Sequence, residues 1–517
     1  MQQSAIENPF NYFFSHAAGA PGRPALVIAG EILTHGELAE RAGRLAARLL
    51  REIDPADARV GILAKRSFEA YIGVFGVLMA GMAYAPIDPD SPIDRQLVVA
   101  QRSRLSALVT DRPLAPELAE LLRQNQVKVF GPEEMADTSG CPLDAPLSVP
   151  DHKVAYLMFT SGTTGTPKAV MVTMGNVAHF LDIMRRRCPI YPDDRVSQFY
   201  ELTFDVSVFD IFHGLGSGAC LHVVPAATRM APAQFIRDKA LTVWSSVPSV
   251  VGFLQRLKQL KPGVFGSLRL STFCGEPLLS SHVEAWRTAA PNSLIDNHYG
   301  PTEATVSCTA EWVGDSPRVT PNRGVIAIGK PYEEMHAGIV DADGAFLPPG
   351  KVGELAVSGP QVAAGYFDDP DLTRKRFRRL AHPVLNDAVF YLTGDLACQD
   401  EDGCFHHLGR IDHQVKILGR RVELEEIESH IRAVTGSDAV AIAWPVQNGG
   451  AVGVVAFIAG DDRVPGDVQA ALKLRLPSYM VPRQIICRDS LPVSANGKLN
   501  RGALLRELEQ MSYAHAE

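Results

Sequence analysis

Short β-branched runs alternate with longer stretches of helical period along most of the chain. Residues 25–28 form one apolar run, 38–50 place apolar residues at helical spacing, and 60–63 return to an unbroken apolar run. Alternation of this kind predicts α/β architecture built on largely parallel sheets. The longest apolar stretch, 71–87, contains three glycines and ends at Asp88-Pro89. It falls short of the roughly 20 residues a bilayer span requires, so it predicts a buried helix running into a strand. Residues 131–151 are polar and proline-containing and predict a surface connection into a strand at 154–159. From 409 onward the pattern tightens into strand, helix, strand and strand at 414–418, 424–434, 439–444 and 453–458. That stretch is large enough to fold as a small α+β domain of its own, which puts a boundary near Asp412 and gives domains 1–411 and 412–517.

The 517 residues exceed one ordinary core. Hydrophobic residues make up 46% and charged ones 21%, a balance that excludes wholesale disorder and coiled coil. The formal net charge of −8 gives no global basic field, so nucleic acid and membranes drop out as partners and any polyanion has to be held by a local site. Eight scattered cysteines form no CxxC pair, and residues 1–11 hold no basic stretch followed by an apolar run. Both fit a reduced, cytoplasmic setting. His406, His407 and His413 match no zinc spacing and are expected on a solvated turn. Cys274 has no paired histidine motif and is expected to line a pocket rather than act as a nucleophile. Arg185, Arg186 and Arg187 close a predicted helix, where cations offset the dipole.

The most informative segment is 157–168, LMFTSGTTGTPK. Thr160, Ser161, Thr163 and Thr164 interleave with Gly162 and Gly165 and are followed by Lys168, so hydroxyl donors, free backbone amides and one ammonium converge on a short loop. Such a loop suits a chain of phosphates. Its spacing misses the GxxxxGK[ST] pattern, and it returns into a strand at 169–172 before the next helix, so a helix N-terminus is not what holds the anion.

That loop occurs together with NHYGPTE at 297–303, YLTGD at 391–395, GRIDHQVK at 409–416 and NGK at 496–498, with LMAGMAY at 78–84 and GELAVSG at 353–359. In this order the set resembles the adenylate-forming superfamily, and within it the amino-acid-activating adenylation enzymes of nonribosomal peptide synthesis. The resemblance implies a large N-terminal part of α/β subdomains with mostly parallel sheets plus a β-barrel-like part, and a small, mobile C-terminal α+β domain. It implies attack of a carboxylate on the α-phosphorus of ATP, with pyrophosphate leaving and an acyl adenylate remaining. Two anions meet in that step, so the protein has to supply positive charge and position. By the resemblance Lys498 is the catalytic lysine that bridges carboxylate and phosphate, delivered from the small domain. Glu303 is the Mg²⁺ ligand, a hard oxygen donor of the kind that ion takes among phosphates. Thr302 contacts the α-phosphate, Tyr299 and Asn297 meet the adenine, Asp395 accepts the ribose hydroxyls, and Arg410 supports it. Gly275, Glu276 and Gly300 complete the ATP set. Asp412 is the hinge about which the small domain rotates between adenylation and thioester formation. The segments KILG at 416–419 and ELEE at 423–426 depart from the common Lys-Ile-Arg-Gly and Glu-Leu-Gly-Glu, which bears on docking of the thiol partner.

Asp205, in TFDVSVF at 203–209, matches the carboxylate that pairs with the substrate ammonium in amino-acid-activating members. A buried carboxylate requires a cationic partner, which favours an amino acid over a fatty or aryl acid. The rest of the pocket, aligned by motif, is Val206, Phe209, Ser246, Thr272, Cys274, His298, Val306 and Ser307. None of these is Lys, Arg, Asp or Glu, so a neutral, rather small side chain is expected. Asp205, Val206, His298 and Val306 resemble proline-activating members, although Phe209 stands where a glutamine is expected; alanine, serine or a small nonproteinogenic amino acid come next. The distance of the motifs from both chain ends leads to the expectation of a freestanding enzyme loading a separate carrier protein through its phosphopantetheine thiol. The alternatives are an acyl-CoA synthetase acting on a carboxylic acid without an amine, and a non-catalytic nucleotide-binding regulator on the same scaffold.

Overall fold

The computed structural model describes residues 8–138, 140–162, 166–382, 384–412, 414–447, 450–460, 465–492 and 499–514. The chain divides into two compact units: 1–89, 99–159 and 169–411 form the first, and 90–98, 160–168 and 412–517 form the second.

In the first unit, apolar runs with no polar alternation become strands buried on both faces, as continuous hydrophobic runs do in parallel sheets. Arg59–Leu63 lies parallel to both Ala83–Pro86 and Ala107–Thr110. The stretch at 71–87 forms the buried helix Phe68–Met79 and the strand Ala83–Pro86. A nine-stranded sheet runs in the order Lys330–Pro331, Thr309–Trp312, Leu294–Tyr299, Leu270–Cys274, Val243–Ser246, Arg195–Gln198, Cys220–Val223, Pro24–Ile28, Glu31–Thr34. Its inner strands, from Leu294–Tyr299 to Pro24–Ile28, are parallel, and its edges are antiparallel. Strands between 336 and 410 form a separate, wholly antiparallel half-barrel.

Helix starts follow from local chemistry. Thr34 and Glu37 exchange hydrogen bonds in a capping box that opens His35–Glu52. Thr173 accepts from the Asn176 amide at 3.2 Å and opens Met174–Arg187 in the same way. Trp244 and Trp286 are fully buried, and each indole N–H finds a serine hydroxyl, on Ser246 at 2.9 Å and Ser271 at 2.8 Å.

The second unit holds a three-stranded sheet, Ala439–Ala443, Val454–Ala459 and Gln484–Arg488, covered by Leu424–Thr435, Pro465–Lys473 and Arg501–Ala514. No helix among the described residues is long and apolar enough to cross a membrane.

Candidate active site

Three neighbouring parallel strands, Val243–Ser246, Leu270–Cys274 and Leu294–Tyr299, end side by side. The carboxyl ends of such strands are where open α/β sheets bind ligands. Their register sorts the expected residues by face. Ser245, Thr272 and Asp296 are partners, as are Cys274 and His298, and all five share one face. Ser246, Phe273 and Asn297 point to the other. Ser246 Oγ accepts from Trp244 and donates to the Val247 carbonyl at 3.2 Å, so the ladder puts Ser245, not the expected Ser246, beside Thr272. A one-residue offset reverses the face of a strand position, and two adjacent serines conceal it in the sequence.

On the shared face a buried polar chain forms. Arg187 donates to both oxygens of Asp296, Nε to Oδ2 at 2.7 Å and Nη2 to Oδ1 at 2.8 Å. His298 Nε2 lies 3.0 Å from Asp296, and its Nδ1 lies 2.7 Å from the Tyr332 hydroxyl, which is 2.8 Å from Ser307 Oγ. Burial opposes charge on Asp296, but the neighbouring His298 and Arg187 outweigh it and hold the carboxyl well below the usual carboxylate range. Arg187 therefore does more than offset a helix dipole. Both ring nitrogens of His298 are engaged, so what it offers the pocket is ring surface; Phe209 packs 6.3 Å from it, centroid to centroid.

Asp205 and Val206 are buried at the turn that leads into the single π-helical turn Phe209–His213. The Tyr84 and Tyr156 phenols are pushed up by burial and further by the charge of Asp205, which puts that carboxylate near two aromatic rings. Val306 and Ser307 follow Thr302–Ala304 on a sharply turned segment. Gly300 has no room for a side chain there: a Cβ would sit 2.4 Å from Ser307 Cα.

Two of the nucleotide candidates, Tyr299 and Arg410, meet at Asp395. The long strand Asn386–Gln399 carries it within a register shift against Val352–Ser358, where Glu354 and Ala356 pair with Leu396 and Leu392, and next to a second at 396–397, bulges of the kind that re-aim a side chain. Its carboxylate accepts from the Tyr299 hydroxyl, from His407 Nε2 at 3.2 Å and from Arg410 Nη1 at 3.0 Å. Burial pushes its pKa up, yet these partners more than reverse that and leave it well below the ordinary value. His406 and His407 lie in the strand Phe405–Arg410, half-buried or buried, rather than on the solvated turn expected of them. Asn297 donates to the Ala327 carbonyl at 2.9 Å, on the same side of its strand as Tyr299. Gly275 takes a positive φ of 96°, and Glu276 accepts from the Ser249 amide at 2.8 Å. Thr302 opens a 3₁₀ turn, and Glu303 within it is wholly buried, with one oxygen receiving the Tyr366 hydroxyl at 2.7 Å. A single carboxylate at this point fits Mg²⁺, which takes one or two protein carboxylates and completes its shell with phosphate and water.

In the second unit, the phosphate-loop candidates meet carboxylates. Ser161 Oγ donates to the Arg421 carbonyl at 3.0 Å and accepts from the Glu423 amide at 3.1 Å. Gly162 N–H donates to Glu426 Oε2 at 3.2 Å, and Lys168 Nζ lies 3.6 Å from Glu423 Oε1. Burial raises the Glu426 pKa, against the pull of Arg95 at 2.6 Å. A Cβ on Gly162 would sit 2.0 Å from the Thr166 carbonyl oxygen. Thr160 is buried at the end of its strand, and Asp412 Oδ1 accepts from the Gln414 amide at 3.3 Å. Thr163, Thr164, Gly165, His413 and Lys498 lie outside the described residues.

All eight cysteines are free thiols. Among the described residues two groups bring metal-competent atoms together, Cys188 with Asp296 and His298, and Asp400 with Cys404 and His406. In each an arginine already meets the carboxylate, Arg187 in the first and Arg318 Nη1 at 3.0 Å in the second.

The AMP-binding enzyme family matches residues 13–367, and the chain belongs to it. Within the adenylate-forming ligases it groups with the adenylation domains of nonribosomal peptide synthesis. It is 32% identical to zwittermicin A synthase ZmaJ of Bacillus cereus, over 97% of this chain and 95% of that protein. It is also 32% identical to tyrocidine synthase 1 of Brevibacillus parabrevis, over 95% of this chain but 44% of that protein, so it spans less than half the length of that relative. The crystal structure of the Vibrio cholerae adenylation domain AlmE in complex with glycyl-adenosine-5'-phosphate superposes with a TM-score of 0.86 at 30% identity, covering 98% of both chains.

Proposed function

We propose that this chain activates a small neutral amino acid with ATP, releasing pyrophosphate, and passes the aminoacyl group to the phosphopantetheine thiol of a separate carrier protein. The observation that carries the reading is the buried Asp205, whose charge acts on the Tyr84 and Tyr156 phenols and which stands where amino-acid-activating members carry the carboxylate for the substrate ammonium. A substrate ammonium would pair with Asp205, while the Asp296 carboxylate is met by Arg187 and His298 and so offers little to a charged side chain.

In this reading Tyr299 and Asn297 receive the adenine. Asp395, kept ionised by His407 and Arg410, accepts the ribose hydroxyls. Glu303 would hold Mg²⁺, which when bound would supply charge neutralisation to the phosphates and the leaving pyrophosphate. Thr302, Gly275, Gly300 and the loop 160–168 hold the phosphates. Lys498 brings the ammonium that lets carboxylate and α-phosphate approach, and Asp412 lets the small domain turn. Proline is the first candidate side chain. Glycine is a second, favoured by the bulk of Phe209 against His298 and by the glycyl adenylate in the AlmE complex.

ATP–pyrophosphate exchange with each of the twenty amino acids, beside a panel of aryl and fatty acids, tests the reading. Exchange is expected with one or a few small neutral amino acids. It should be abolished in amino acid dependence by Asp205→Ala and fall by orders of magnitude in Lys498→Ala without loss of ATP binding. Exchange with acids lacking an amine and with no amino acid would overturn the reading in favour of an acyl-CoA synthetase.

A further inference from the structure

Residues 304–307 hold a backbone that β-branched residues rarely adopt. Thr305 and Val306 have φ of 54° and 70°, left-handed at two successive positions. Such conformations persist where surrounding structure over-determines them, and here one side chain supplies three of the hydrogen bonds that do so. Gln361 is wholly buried, and its Nε2 donates to the Ser307 carbonyl at 2.6 Å and to the Ala304 and Thr305 carbonyls at 3.3 Å each. Its own carbonyl accepts from Thr305 Oγ1 at 2.7 Å. Gln361 is fixed in turn from the helix Met174–Arg187. His179 Nδ1 lies 3.1 Å from its Oε1, and Asn176 Nδ2 donates to the carbonyls on either side, Pro360 at 2.6 Å and Val362 at 3.1 Å.

We infer that Gln361 is a positioning residue that sets the shape, and so the side-chain selectivity, of the amino-acid pocket by bracing Val306 and Ser307. The inference rests on the reading that those two residues line that pocket. The amide is suited to the task because it presents two N–H donors at one end to three converging carbonyls, and an acceptor at the other to His179. Glutamate would set a carboxylate oxygen against carbonyl lone pairs, and methionine would fill the volume with no donor.

The test is Gln361→Met in the full chain, read by ATP–pyrophosphate exchange with the wild type's preferred amino acid and its next best. The KM for the amino acid should rise at least about tenfold and the preference between the two should shrink, while the KM for ATP stays within about threefold. A parallel rise in both KM values would mark a merely structural role, and no change in a folded variant would mark an idle one; either overturns the inference. Should Gln361→Met not fold, His179→Ala carries the test. It is expected to raise the amino acid KM about threefold with the ATP KM unmoved, and His179→Gln, which restores a donor, should return it. Absence of both effects overturns the inference. If wild type exchanges with no amino acid, the pocket reading fails on wild type alone. The brace is then read by hydrogen–deuterium exchange: faster exchange of the peptide 302–309 in the Gln361 or His179 variant supports it, and equal exchange overturns it.

Discussion

Replacing Arg187 with leucine would strip a fully buried carboxylate of the partner that bonds both its oxygens. Asp296 is 0% exposed and receives two N–H bonds from Arg187, at 2.7 and 2.8 Å. Its remaining neighbours are His298 Nε2 at 3.0 Å and the Cys188 thiol at 3.5 Å. Removing one member of a buried pair costs about 3–5 kcal/mol, because the other charge stays in the core uncompensated. His298 remains, which argues for the lower end, about 3 kcal/mol, a factor of roughly 150 in the unfolding equilibrium. The pH dependence gives a sharper check. In the native chain the carboxyl lies well below its ordinary value, so its contribution is present above about pH 4 and lost as pH falls through the folded pKa. Without Arg187 burial is opposed mainly by His298 and the folded pKa rises, so protonation in acid relieves part of the variant's deficit. Urea unfolding of Arg187→Leu should show a deficit at pH 7 that narrows as the pH is lowered, and Asp296→Asn in the same background should recover part of it. A deficit under about 1 kcal/mol, one independent of pH, or a double variant no better than the single would refute the reasoning.

Two further outcomes follow from other buried positions. Asp210 is wholly buried and pushed up to about 8 by burial, against hydrogen bonds from the Phe199 and Tyr200 amides at 3.0 and 3.4 Å. A folded pKa above the unfolded one means that the native state binds more protons between about pH 4 and 8, so this group's contribution declines as pH rises and levels off above 8. Asp210→Asn, which keeps the accepting oxygen, should flatten the decline of unfolding free energy between pH 5 and pH 9 by several kcal/mol; parallel profiles for variant and wild type would disprove it. Gly300→Ala would press a Cβ to 2.4 Å from Ser307 Cα and 2.9 Å from the Val306 carbonyl, so the pocket segment has to shift. Amino-acid-dependent exchange should drop about a hundredfold with helix content intact by circular dichroism, and wild-type kinetics in that variant would show that the segment does not bear on the pocket.

The elements themselves were legible because burial on both faces leaves an unmistakable pattern. The run at 60–63 and the helix-to-strand stretch at 71–87 appear where the apolar positions put them. Neighbour relations were not. Nothing local says that Leu270–Cys274 lies between Val243–Ser246 and Leu294–Tyr299, or which of Ser245 and Ser246 faces Thr272, since strand pairing is decided by packing of distant segments. Nor does any local pattern group 90–98 and 160–168 with 412–517.

The same division runs through the candidate site. The residues proposed to meet a ligand sit in short, unusual strings, and those strings mark Asp395, Glu303 and the loop at 160–168. Residues that hold them in place sit anywhere: His407 is 12 positions from Asp395, Tyr332 is 34 from His298, Gln361 is 54 from Ser307 and Tyr366 is 63 from Glu303. A histidine, tyrosine or glutamine in an ordinary strand or loop has no spacing to betray it, because its partner is chosen by the fold and not by the chain around it. Arg187 shows the consequence. At the end of a helix a cation is explained by the dipole alone, at up to about 1 kcal/mol at an exposed site, and the explanation is sufficient until the fold brings Asp296 beneath it. An interaction several times larger was then hidden behind a smaller one that accounted for the same residue.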